Sequence, residues 1–106
     1  MSGASMLEKA VGELELLRRH MRTLNAVREF QPVGIIRLSE IMGLPKHEVR
    51  YSLRLLEREG LIVATAEGAT ESPACAGFMA SLPGRLDEVS REIEALRAEI
   101  SGDANI

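Results

Sequence analysis

Residues 38–69 read LSEIMGLPKHEVRYSLRLLEREGLIVATAEGA, and the fold turns on how this stretch is divided. Gly43 is a natural helix C-terminus, and Pro45 suits the first turn of a helix, where a missing N–H costs nothing. The reading is therefore a short helix over 33–44, a tight turn at Gly43, a second helix over 45–59 stopped by Gly60, and a β-prone run, LIVAT, over 61–65. Ala66-Glu67-Gly68 is a turn, and 69–71 returns as the second strand of a small hairpin. Residues 33–44 leave one point open: Ile35-Ile36 either begin the helix or form a short strand before it.

Two helices joined by a Gly-containing turn need a particular set of neighbours. Small Ser39 precedes Gly43 by four residues, where the helices cross closely, and apolar Val49 follows it by six, locking the second helix on the first. Leu38, Met42 and Leu44 fill the space between. With Lys46 set at zero and an advance of ~100° per residue, Val49, Leu53 and Leu56 fall at roughly 300°, 340° and 280°, one buried stripe. The opposite direction, near ~120°, holds His47, Tyr51, Arg54 and Arg58, with Arg50 beside them and Lys46 near the helix start. Glu48 and Glu57 fall to the sides. A basic face with one aromatic suits a major groove, where Arg bonds a guanine edge bidentately and Tyr or His reaches phosphates or bases.

The run from Leu38 to Ala69 resembles the winged helix-turn-helix of prokaryotic transcriptional regulators, especially small archaeal predicted regulators. The matching features are Gly43, then Val49, Leu53 and Leu56, then Gly60-Leu61-Ile62, which in that family leads from the recognition helix into the wing. The resemblance covers about residues 33–72. It implies a DNA-binding fold with 46–59 as recognition helix. The wing departs from the family pattern, because its tip, Ala66-Glu67-Gly68-Ala69, has no Lys or Arg and Glu67 repels phosphate. A single chain is then expected to bind DNA modestly and to need a partner copy.

Charge divides the chain. Residues 16–58 carry nine Lys or Arg and four acids, a net of about +5, while 59–106 carry three Arg and nine acids, about −6. The whole chain of 106 residues is at −3, so nucleic-acid affinity rests on a local patch. Arg18, Arg19, His20 and Arg22 form a second basic cluster, read either as phosphate contacts or as a solvated helix face. Aromatic residues make up 3% of the chain, so the core is expected to be aliphatic.

The flanks are helical. Leu7, Val11, Leu14, Leu17, Met21, Leu24 and Val27 recur every three or four residues, giving a helix over 6–30 that ends before Pro32. Its first half projects beyond the core. Ser72-Pro73 reads as an N-cap and first helical position. A helix follows to about 82, and a last one to about 101; Pro83-Gly84 either kinks one long helix or separates two. Residues 102–106 are read as frayed. Leu82, Leu86, Val89, Ile93, Leu96 and Ile100 are spaced 4-3-4-3-4, a heptad seam. The seam is read as a homodimer interface, with packing on the first helix of the same chain as the alternative.

The expected architecture is mainly α with a small β-hairpin wing: a helix extension over 1–18, a winged helix-turn-helix over 19–72, and a C-terminal dimerisation element over 73–106. The expected function is a homodimeric, sequence-specific DNA-binding regulator. The alternative is a winged-helix module that binds protein and not DNA, since fold alone does not decide function. Double-stranded DNA and a second copy of the chain are the expected partners. No enzyme is expected, for no phosphate loop, metal-ligand spacing or nucleophilic constellation stands out among two His and one Cys. No cofactor is expected, and Cys75 reads as a small packing residue. No segment of the size of an effector domain remains, and a small ligand between helices of the dimer stays open. The N-terminus does not resemble a signal peptide, no apolar run is long enough to span a membrane, and the lone Cys adds to an expectation of the cytoplasm.

Overall fold

The computed structural model describes residues 3–102. The first two residues of the expected N-terminal extension, and the expected fraying beyond Gly102, lie outside the described residues. The chain is mainly helical, with one two-stranded antiparallel hairpin after three helices: α1 (Ala4–Phe30), α2 (Ile35–Met42), α3 (Lys46–Arg58), β1 (Ile62–Thr65), β2 (Gly68–Glu71) and α4 (Cys75–Ile100). It divides into two compact units, one up to Cys75 and one from Ala76 onward.

In the first unit, α1 packs on α2, α3 and β2, and α3 packs on α2 and β1. The centre is aliphatic: Leu24 and Val27 of α1, Leu38 of α2, Val49 and Leu56 of α3, and Val33 are almost fully buried. Burial in α1 starts late. Ala4–Glu15 are all exposed, including Leu7, Val11 and Leu14, and the core-facing part begins around Leu16. The helix ends where expected, with Gln31 extended ahead of Pro32, to which it is joined by a cis bond.

The turn between α2 and α3 is held mostly by Ser39. Gly43 takes the left-handed conformation at φ 66°, and its N–H donates to the Ser39 carbonyl at 2.9 Å. The Ser39 hydroxyl donates to the Leu44 carbonyl, so this side chain does more than allow a close crossing. Pro45 stands one position earlier than expected, as the extended residue before α3, and its carbonyl accepts the Val49 N–H. The far end of α3 closes with Gly60 at φ 78° and bonds from Gly60 N–H to Glu57 and from Leu61 N–H to Leu56, which drops Leu61 into the core.

Ile35 and Ile36 open α2, which resolves the open point in favour of helix. The strand-like element lies just before them. Val33 exchanges backbone bonds with Ala69, 3.1 Å and 2.8 Å, as a one-residue third strand beside β2. The hairpin pairs Ile62 with Glu71 through Thr65 with Gly68.

Three further details bear on the sequence reading. Leu53 is half-buried, and fully buried Ser52 takes its place beside Val49 and Leu56. Pro73 precedes the last helix instead of opening it, while the Ser72 hydroxyl accepts the Ala74 N–H at 3.2 Å, the bond expected of an N-cap, and donates to the Gly60 carbonyl. Beyond Cys75 the chain forms one helix with Pro83 inside it. No helix among the described residues is long and apolar enough to cross a membrane.

Candidate functional site

The apolar side of α3 determines which residues it presents outward. With Val49, Ser52 and Leu56 buried, the buried direction is centred near ~275° on the same wheel, so the exposed direction is near ~95°. Lys46, His47, Arg50, Tyr51, Arg54 and Arg58 are all exposed. Among the described residues, Lys46, Arg50, Arg54 and Arg58 pair with no carboxylate. His47 approaches only Glu48, at 4.0 Å. The exposed side of the helix therefore carries four unpaired cations and an imidazole, with exposed Glu57 at ~20°, between Lys46 and Arg50.

Tyr51 stands at the edge of this face nearest α1. Its ring centroid lies 5.7 Å from that of His20, and the Arg19 guanidinium sits 5.7 Å above the ring. About half of the side chain stays accessible. Its position is set by α1 as much as by α3, which no pattern within residues 46–59 reveals.

The second basic cluster divides. Arg18 and Arg22 are exposed. Arg19 reaches across to α3, donating to Ser52 Oγ at 3.2 Å and pairing with Glu48 at 3.3 Å. His20 is buried, with Nδ1 2.8 Å from Ser52 Oγ. Burial, helped by the Arg19 charge, pushes the His20 pKa below its ordinary value. Arg19 and His20 thus fix the position of α3 on α1, and Arg18 and Arg22 are the pair open to solvent.

On the other side of α3, a cleft separates the helix from the hairpin. Leu53, Ile35 and Ile62 form its apolar wall, and Arg50, Arg54 and Glu57 border it. The hairpin tip carries no cation: Thr65, Ala66 and Glu67 are exposed, and Thr65 Oγ1 donates to the Gly68 carbonyl. Cys75 is buried and free, and burial pushes its thiol pKa up, which disfavours the reactive thiolate. In the second unit, Leu82 is half-buried and Leu86, Val89, Ile93, Leu96 and Ile100 are exposed.

No protein-family model matches this chain. No curated protein matches it either.

Proposed function

We propose that the chain is a homodimeric, sequence-specific DNA-binding regulator, a winged helix-turn-helix protein whose helix α3 enters the major groove. The observation that carries this reading is the exposed face of α3, where Lys46, Arg50, Arg54 and Arg58 point to solvent with no carboxylate partner among the described residues. Unpaired cations on a convex helix have their charge available for phosphates, and a guanidinium matches the acceptor pair on a guanine edge. The tight turn at Gly43 and the hairpin after α3 are consistent with it. The exposed stripe of α4 supplies a surface for the second copy.

The test is titration of the full chain into a fluorescent pool of genomic fragments, followed by selection of the bound ones. Affinity falls by about a hundredfold or more between 50 and 200 mM salt if α3 replaces several counterions. Arg50→Ala or Arg54→Ala weakens the selected site by roughly 5- to 100-fold, the range of one bidentate base contact. Absence of any shift at ~50 mM salt, where phosphate contacts are strongest, overturns the DNA reading and turns the same face toward an acidic protein partner.

A further inference from the structure

The stripe on α4 repeats through one continuous helix, so its heptad register is unbroken from Leu82 to Ile100. The 4-3-4-3-4 spacing puts Leu86, Ile93 and Ile100 at a, and Leu82, Val89 and Leu96 at d. Apolar side chains at these positions are 42% to 75% exposed from Leu86 onward, too much surface for a helix to leave to water along one line. The a and d choices carry information about what covers them. Ile at two of three a positions with Leu at two of three d positions is the combination that, in parallel coiled coils, favours two strands over three or four.

The flanking charges discriminate orientation. The g positions are Arg85, Glu92 and Glu99, and the e positions are Pro83, Ser90 and Arg97. In a parallel pair, g of one helix meets e of the following heptad on the other. Glu92 then faces the partner's Arg97, twice by symmetry, and Arg85 faces a neutral serine. In an antiparallel pair centred on Arg91, the apolar positions still mesh and Arg85 meets the partner's Glu99, but Glu92 falls against the partner's Glu92, a repulsion the parallel pair lacks. Arg97 lies 3.6 Å from Glu94 of its own helix, and both side chains are largely exposed, so it is free to reach across.

We infer that α4 binds the α4 of a second copy of this chain as a parallel, in-register coiled coil, with Glu92 paired to Arg97 across the seam. The inference rests on the homodimeric reading above and adds its geometry. A parallel pair starts both α4 helices, and so attaches both N-terminal units, at one end of the seam. In the antiparallel register centred on Arg91 the two helix starts at Cys75 lie 32 residues apart along the seam, about 48 Å.

Full-length Leu96→Cys tests the orientation. In the parallel register the two introduced thiols face each other, and mild oxidation gives a covalent dimer. The wild-type chain, whose Cys75 is buried, gives none. In the antiparallel register the two positions are ten residues apart along the seam, ~15 Å, beyond disulfide reach. Arg97→Glu weakens the dimer by about three- to tenfold in sedimentation equilibrium, and Glu92→Arg with Arg97→Glu restores it, because both cross-strand pairs re-form with exchanged signs. A mixed disulfide between Leu86→Cys and Leu96→Cys chains, with neither linking to itself, overturns the parallel arrangement and keeps the dimer. A monomer at all concentrations overturns both. Loss of DNA binding with the Leu96→Cys disulfide intact sinks only the DNA reading.

Discussion

Ser52 Oγ lies 2.8 Å from His20 Nδ1 and 3.2 Å from Arg19 Nε, and this one hydroxyl joins α3 to α1. Arg19 can only donate, so Ser52 accepts from it. The hydroxyl proton is then used if Ser52 donates to His20 Nδ1, which puts the imidazole proton on Nε2. Ser52 is fully buried. Ser52→Ala leaves His20 Nδ1 and Arg19 Nε without that partner and costs about 1–3 kcal/mol, the penalty for stranding buried polar groups. Urea denaturation checks this, and a midpoint unchanged from wild type refutes the role.

The same network makes stability pH-dependent. The folded state holds His20 below its ordinary pKa, so the unfolded chain binds a proton first as pH falls. The contribution of neutral His20 is fully present above about 6.5. It declines as pH drops below that value and levels off once the folded form also protonates. His20→Asn keeps an acceptor near the position of Nδ1 but does not titrate, so its denaturation midpoint should be flatter between pH 7 and 5. Parallel curves for the two proteins rule out His20 as the titrating group.

Gly68 and Gly34 make a contrasting pair. Gly68 has φ 134°, and an added Cβ would meet the Val33 backbone at 2.6 to 2.8 Å. Neither the conformation nor the neighbouring main chain can give way. Gly68→Ala should cost more than about 2 kcal/mol and separate the hairpin from Val33. Gly34 has φ −96°, with nothing within 4 Å of an added Cβ. Gly34→Ala should stay within about 0.5 kcal/mol of wild type, helped by reduced freedom in the unfolded chain. Thermal melts of the two variants separate these outcomes, and equal midpoints contradict the assignment.

These residues also show where the sequence was legible. Gly43, Pro45 and Gly60 act through local backbone preferences, so two helices and a hairpin could be read from them within a residue or two. The exposed cations of α3 were legible because a 100° advance needs no knowledge of the neighbours. Ser52 was not, because its burial depends on His20 and Arg19 arriving from a different helix. A polarity rule prefers Leu53 for that place. Tyr51 is similar, since its tilt toward His20 depends on how α1 lies on α3. Val33 forms a strand of one residue, too short for any periodicity, and only Ala69 defines it.

Glu71 ties the end of β2 to the end of α1. Its carboxylate accepts from Gln31 Nε2 at 3.0 Å and from Arg28 Nε at 3.1 Å, while its own N–H donates to Gln31 Oε1 at 2.8 Å. The Gln31 bond, helped by Arg28, holds the carboxyl pKa below its ordinary value against the opposing effect of burial. The sign follows: the folded state keeps the charge to lower pH, so this stabilisation is complete above about 4.3 and is lost as pH falls through the depressed value. Glu71→Gln retains an acceptor for Gln31 but removes the charge opposite Arg28. The wild type should therefore be the more stable of the two at pH 6, and the gap should close between pH 4 and 2 as Glu71 protonates. The two proteins differ only at residue 71, so the difference between their denaturation midpoints isolates Glu71. A gap that stays constant down to pH 2 would show that the Arg28–Glu71 pair contributes no charge-dependent stability to the hairpin.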